Sequence, residues 1–500
     1  MGGTDMLYET NIPAEEVSRC LLCDNAACTQ ACPNGVDPAK ILRSLRFENQ
    51  VGAAANLNKN YSCAECTAPC ESACIRTEHP INIRQLLTTL HEESQEWDPI
   101  PETPVDLSCD FLGVHLENPF LLSSSVVSST YEKLSRAFEM GWAGACFKTL
   151  CDFIPRETSP RYSALAAEHG FCGFKNIEQL SCNSMQEDLD IIRRLKHDYP
   201  SKVIIASIMG RNDEEWERLA RLAQDAGADI IECNFSCPNM EQDGLGADIG
   251  QNMEAVAKCT KAARRGCTIP LLAKLTPNVA DMCPFARVAM ENGADGIAAI
   301  NTIKSLMDLN LDTYASEPSV RGLSGVGGYS GRAVKPIALR FIWEMASDSE
   351  LNKIPISGMG GIETWRDAVE FLLLGANHVQ ITTAVMQYGS RIIDDLKDGL
   401  IWYMREKAIT HLYDLQGLGV NNVTKLDVLS RHSKLLPRFD RKKCLGCGRC
   451  YISCRDGGHE ALRMVKGKPV MDPRVCVGCH LCVLVCPIKA ISPNGKRIEL

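Results

Sequence analysis

No stretch of the 500-residue chain reaches 18 uninterrupted apolar residues, the length a membrane-spanning helix needs. Met1 to Pro13 carries polar and acidic residues where a signal peptide needs a basic flank and an apolar core. Basic excess is lacking too. Lys and Arg number 53 against 62 Asp and Glu, a net charge of −9, without the basic face that a nucleic acid or an anionic membrane requires. No G-x-G-x-x-G occurs, so the phosphate turn of a dinucleotide-binding fold is missing. With 45% hydrophobic and 23% charged residues the chain has the means to bury a core, which excludes disorder as its main state. The expectation is a cytoplasmic protein with no nucleic-acid or membrane partner.

What the chain has in excess is cysteine. There are 26, and their placement is uneven: eight lie between Cys20 and Cys74, eight between Cys444 and Cys486, and ten in all the rest. In a cytosolic chain such clustering points to metal ligands rather than disulfides. Two cysteine-dense caps of this kind divide the chain at 1–100, 101–425 and 426–500.

Cys444, Cys447, Cys450 and Cys454 form C-x2-C-x2-C-x3-C, and Cys476, Cys479, Cys482 and Cys486 repeat it before Pro487. This is the two-cluster ferredoxin run, in which three thiolates of each set hold one [4Fe-4S] cluster and the fourth crosses to the other. One cluster is therefore expected on Cys444, Cys447, Cys450 and Cys486, the other on Cys476, Cys479, Cys482 and Cys454. Tetrahedral zinc is the alternative use of paired C-x2-C. In the N-terminal cap, Cys20, Cys23, Cys28 and Cys32 are followed by a helical stretch, Pro38 to Leu57, and then by Cys63, Cys66, Cys70 and Cys74.

In the middle, short apolar runs alternate with helical periodicity. Eight strands are expected: 119–126, 143–150, 203–210, 230–236, 270–277, 296–302, 354–362 and 378–384. Helices follow them, for example at 213–226, 285–292 and 364–374. Eight βα units over some 300 residues predict a (β/α)8 barrel, so the fold class is α/β, a TIM barrel flanked by a cysteine-dense cap with a helical stretch and by a ferredoxin-like domain. A doubly wound sheet is the alternative. Barrel chemistry sits at the C-terminal ends of strands, and those ends are polar here: Ser123, Ser124 and Ser125; Lys148 and Thr149; Asn234, Ser236 and Cys237; Lys274; Asn301 and Thr302. Two lysines at buried strand ends call for an electron-rich ligand, although a single one could pair with a structural carboxylate. Gly358, Gly360 and Gly361, which close strand seven, and Thr382 and Thr383, which close strand eight, lead into the usual phosphate-binding loops. A phosphate there and lysines beside a ring describe FMN.

The segment from Ser18 to Leu57 resembles the helical iron-sulfur domain of the dihydropyrimidine dehydrogenases and of the small subunit of glutamate synthase. NFSCPN (234–239), AKLTPN (273–278), the pair Asn301 and Thr302, GYSG-x-A-V-K-P (328–336) and SGMGGI (357–362) extend the likeness along the barrel. The chain thus resembles the dihydropyrimidine dehydrogenase family, most nearly its bacterial NAD-dependent FMN/ferredoxin subunit with an iron-sulfur domain added in front. The resemblance places one N-terminal cluster on Cys20, Cys23, Cys28 and Cys74. It places a second on Cys32, Cys66 and Cys70 plus a Gln or Glu seven residues after the Pro of P-I-N-I. That position is Leu87, which cannot bind iron, and Gln85 or Cys63 could serve instead.

The family interconverts uracil or thymine and the 5,6-dihydro base. The resemblance implies Cys237 as proton donor and acceptor, and Asn176, Glu178, Asn234, Ser236, Asn301 and Thr302 at the substrate. It implies Ser123, Ser124, Lys148, Lys274, Gly331, Gly360, Gly361, Thr382 and Thr383 at FMN. The segment 237–250, polar and rich in glycine, is expected to be a lid. Lacking a nicotinamide fold, the chain would receive electrons through its clusters from an FAD/NAD(P)H flavoprotein subunit or a ferredoxin, as a homodimer or hetero-oligomer. The alternatives are a dihydroorotate dehydrogenase-like reductase of another unsaturated ring, or an electron-transfer subunit.

Overall fold

The computed structural model describes residues 10–167, 170–235 and 246–500. Its chain divides into two compact units, 10–423 and 424–500. Ser236 and Cys237, and most of the expected lid, lie outside the described residues; of the lid's remainder, Ala247–Gly250 forms a single helical turn.

The centre of the first unit is a closed barrel of eight parallel strands in sequence order. They are β1 (Phe120–Leu122), β2 (Gly144–Leu150), β3 (Val203–Ile208), β4 (Ile230–Asn234), β5 (Leu271–Lys274), β6 (Gly296–Ala299), β7 (Ile356–Met359) and β8 (His378–Ile381). Each is buried along its whole length, as strands covered on both faces must be, and the apolar runs follow from that. The ring closes where Val379, Gln380 and Ile381 of β8 pair with Phe120, Leu121 and Leu122 of β1. The helices form where periodicity and caps agree. Asn212 accepts from the Glu215 N–H to open Asp213–Asp225, and Ser184 and Glu187 make a reciprocal capping box at the head of Met185–Asp198.

The N-terminal helices have a core of their own, around Ile41, Leu42, Leu57, Leu87 and Leu90. The expected helical stretch from Pro38 to Leu57 is broken in two, Pro38–Arg46 and Gln50–Asn58. Glu48 has a positive φ, and the Asn49 side chain accepts from the Gly52 N–H to start the second helix. The break lets the domain seat on the barrel. Phe47 meets Tyr388 edge-on with ring centroids 5.2 Å apart, and the Trp365 indole donates to the Glu48 carbonyl at 3.0 Å. Arg43 pairs with the buried Asp395 at 2.6 Å, and Asn49 donates to Asp398 at 2.7 Å. Gly52 packs so closely here that a Cβ would stand 2.0 Å from the Asp398 carboxylate.

The second unit contains three antiparallel strand pairs, Ser433–Leu435 with Arg497–Glu499, Arg438–Phe439 with Ile491–Ser492, and Leu462–Val465 with Lys468–Met471. Helices Arg449–Gly457 and Leu481–Leu484 complete it, over a small core of Cys450, Leu462, Cys482 and Ile491. Among the described residues no helix is long and apolar enough to cross a membrane.

Candidate active site and cluster sites

At the C-terminal mouth of the barrel lies a cavity open to solvent. Every expected substrate or cofactor residue that the structure describes lines it: Asn176, Glu178, Asn234, Asn301 and Thr302 together with Ser123, Ser124, Lys148, Lys274, Gly331, Gly360, Gly361, Thr382 and Thr383. A chain of hydrogen bonds fixes part of its wall. Asn234 donates through Nδ2 to Thr149 Oγ1 at 3.0 Å, and its Oδ1 accepts from Asn301 Nδ2 at 3.2 Å. The Thr302 N–H in turn donates to Asn301 Oδ1 at 2.7 Å, and the Thr149 hydroxyl lies 3.2 Å from that of Ser124 and 2.9 Å from that of Ser207. Side chains locked this way present amide and hydroxyl groups in fixed orientation to a planar polar ring. Thr149 is the hub. It was visible in the sequence as a polar strand end but was not among the expected site residues.

Both lysines are buried, and both have carboxylate partners. Lys148 Nζ lies 2.7 Å from Glu178 Oε1, and the Tyr162 hydroxyl donates to Glu178 Oε2 at 2.9 Å. Lys274 Nζ lies 3.3 Å from Glu232 Oε1, with the lysine side chain 5% and the glutamate 0% exposed. A pair so enclosed gives a bound ring a cation held in place by its own counter-ion.

The other end of the cavity is built from glycine and threonine. Gly361 has φ of +80°, and a Cβ there would come within 2.7 Å of the Lys335 nitrogen and 3.0 Å of the Gly331 carbonyl, so only glycine fits. Thr382 donates to Ser125 at 3.2 Å, and Thr383 lies 3.0 Å from Ser330 Oγ. Arg332 lines the same end and adds a cation the sequence reading did not single out. Gln380 also lines the cavity; its Nε2 donates to Ser357 at 2.9 Å, and its buried Oε1 has no hydrogen-bond partner among the described residues. The set fits FMN: backbone amides and a cation for a phosphate, an unused amide oxygen for a ring N–H, and a buried lysine for the electron-rich edge of a flavin.

A roof that sequence reading missed covers part of the mouth. Hairpin strands Tyr162–Ala167 and Gly170–Asn176 join Gly327–Ser330 and Ile303–Ser305 in a four-stranded sheet, bringing Tyr162, Phe171, Phe174 and Asn176 to the cavity. The alternation in this hairpin is weak because most of its first strand is exposed.

Behind the roof, Ser181 N–H donates to the Thr149 carbonyl and Asn183 Nδ2 to the buried Asp188 at 2.8 Å. Burial, only partly offset by hydrogen bonds from the Asn183 and Ser181 side chains, pushes the Asp188 carboxyl up to about 6. The fold therefore favours its protonated form, a contribution fully present below the unfolded value near 4 and lost as pH rises through 6. Asp188→Asn is expected to gain stability relative to the parent between pH 4 and 7. Urea midpoints of both proteins across that range check it, and parallel pH profiles would refute it.

The cysteines gather in sets. Burial raises the thiols of Cys20 and Cys28, and each also feels the charge of Cys23 and Cys74. Cys20, Cys23, Cys28 and Cys74 are therefore neighbours. In the second unit Cys454, Cys476, Cys479 and Cys482 line one pocket, while Cys450 neighbours Cys444 and Cys447. The crossing of Cys454 to the later run is the pattern of a two-cluster ferredoxin. Among the described residues no three Cys, His, Asp or Glu side chains converge closely enough to hold a single metal ion.

Comparison with known proteins agrees with each part. Residues 106–404 match the dihydroorotate dehydrogenase family, residues 438–492 the 4Fe-4S dicluster domain, and residues 4–98 the 4Fe-4S domain II of dihydropyrimidine dehydrogenase. The chain is 53% identical over 358 residues to the NAD-dependent dihydropyrimidine dehydrogenase subunit PreA of Escherichia coli K12, covering 71% of this chain and 87% of that one. It is 35% identical over 356 residues to the chloroplastic dihydropyrimidine dehydrogenase (NADP(+)) of Arabidopsis thaliana, covering 68% and 84%. Against the catalytic subunit of dihydroorotate dehydrogenase B (NAD(+)) from Pyrococcus abyssi the identity is 36% over 314 residues, covering 63% and 99%.

Proposed function

Because the chain belongs to the dihydropyrimidine dehydrogenase family, oxidoreductases acting on CH–CH bonds with FMN in the barrel and 4Fe-4S clusters in both flanking regions, we propose that it interconverts uracil or thymine and their 5,6-dihydro forms. The observation that carries the reading is the locked array of Asn234, Asn301 and Thr302, in a cavity that Asn176 also lines, which offers donors and acceptors together to a ring with two carbonyls and two N–H groups. In this reading the asparagines and Thr302, with Ser236, orient the pyrimidine so that C5 and C6 face the reacting groups. Cys237 holds the proton that is delivered to C5 in reduction and removed from it in oxidation. Lys148 is kept in position by Glu178, and Lys274 by Glu232. Ser123, Ser124, Gly331, Gly360, Gly361, Thr382 and Thr383 hold the cofactor, and FMN, when bound, supplies the hydride chemistry at C6. Electrons pass through the clusters to or from a separate flavoprotein or ferredoxin, since the chain has no G-x-G-x-x-G turn of its own.

The test is an anaerobic one. Protein loaded with iron and FMN is reduced with dithionite, and uracil, thymine or orotate is added at stoichiometric enzyme. Flavin reoxidation by uracil or thymine, slow or absent with orotate, is the expected result. Reoxidation by orotate alone would replace this function with a dihydroorotate dehydrogenase reaction, and none with any of the three would leave an electron-transfer role.

A further inference from the structure

The N-terminal domain departs from the family's pattern at one expected cluster ligand. Where the resemblance puts an oxygen ligand for the second cluster stands Leu87, a buried core residue on helix Ile83–Ser94. Leu87 lines a pocket whose wall also carries Cys32, Cys63, Cys66 and Cys70. None of the other four N-terminal cysteines lines this cavity. Cys63 and Cys66 share one tight turn, closed by the Cys66 N–H donating to the Cys63 carbonyl at 3.2 Å. Gln85, the other candidate, is not in the cavity wall; it is exposed and donates to Thr89 at 3.3 Å.

We propose that Cys63 is the fourth ligand of the second N-terminal cluster, which is then held by four thiolates, Cys32, Cys63, Cys66 and Cys70, in place of the family's three and an oxygen ligand. The Cys63–Ala64–Glu65–Cys66 turn has the C-x2-C spacing that opens each of the other cysteine runs at Cys20, Cys444 and Cys476. Four thiolates give each iron of a [4Fe-4S] core one ligand, and they add a negative charge relative to a neutral amide, which lowers the cluster's reduction potential. Arg84 lines the same cavity and donates to the Cys66 carbonyl at 2.9 Å, placing a cation where that extra charge falls. The assignment does not depend on which ring the barrel reduces.

The experiment compares full-length protein, reconstituted anaerobically with iron and sulfide, with its Cys63→Ala, Cys63→Ser and Gln85→Ala variants. Iron and acid-labile sulfide per chain and EPR spectra of the oxidised and reduced forms are the readouts. Cys63→Ala is expected to lose about one iron, with the signal of a three-iron cluster, or about four with the whole cluster gone. Gln85→Ala is expected to match the parent. Should Cys63→Ala fail to accumulate, Cys63→Ser decides, because it keeps the size and is expected to shift the EPR signal and midpoint potential of one N-terminal cluster. Cys63 variants with parental iron and spectra would overturn the assignment, as would iron loss in Gln85→Ala; zinc in place of iron in the parent would overturn the site's chemistry.

Discussion

Cys237→Ala is expected to lower turnover of uracil and of dihydrouracil by about 10² to 10⁴, the usual worth of a positioned acid or base, with flavin content and reduction by dithionite unchanged. The sequence sets Cys237 three residues beyond Asn234, whose amide is fixed in the cavity wall by Thr149 and Asn301. A thiol suits the task because its ordinary pKa of about 8.5 lets it hold a proton at neutral pH and still release it. The sign of the pH dependence follows. Reduction of uracil needs the protonated thiol, so its rate falls as pH rises through the thiol pKa. Oxidation of dihydrouracil needs the thiolate, so its rate rises over the same range. Cys237→Ser, whose hydroxyl stays protonated throughout, is expected to lose that limb in both directions. Steady-state rates from pH 6 to 10, with electrons supplied or accepted by an artificial dye, check both claims. Retention of more than about a tenth of the activity in Cys237→Ala, or an unchanged profile in Cys237→Ser, would remove the thiol from the proton step.

Much of this architecture was legible before any coordinates. Strands buried on both faces must be apolar throughout, so the runs at 119–126, 143–150, 203–210 and 230–236 marked the barrel plainly. The polar residues closing those runs marked the mouth, because a buried lysine or asparagine at a strand end needs a partner. Sequence could not supply the partner's identity. Glu232 is two residues before Asn234 on β4 and reads as an interruption of an apolar strand, yet it is the counter-ion of Lys274, 42 residues away. The roof hairpin escaped for a different reason: with one face open to solvent, its alternation is too shallow to stand out. The break at Glu48 and Asn49 turned on one side-chain cap, a local signal that the helical periodicity on either side obscured.

Lys274→Met is expected to cost about 3–5 kcal/mol of stability, because it strands a buried carboxylate. Glu232 is fully buried, its Oε1 faces Lys274 at 3.3 Å, and its Oε2 has no hydrogen-bond partner among the described residues. Removing the lysine therefore takes a counter-charge from a carboxylate with little else to hold it. The double variant Lys274→Met/Glu232→Gln removes both charges and is expected to recover most of the loss, as neutral replacements of buried ion pairs commonly do. The flavin is expected to respond differently. A cation at the electron-rich edge of the ring favours the anionic reduced form, so both variants should show a lower FMN midpoint potential than the parent, and the double should not recover it. Denaturant unfolding of the apoprotein and a spectroelectrochemical titration of the FMN-loaded protein measure the two quantities separately. If the double variant restored the potential together with the stability, Lys274 would be a structural partner of Glu232 and no more. If stability returns while the potential stays low, the pair serves as a fixed cation at the flavin, with Glu232 as the residue that positions it.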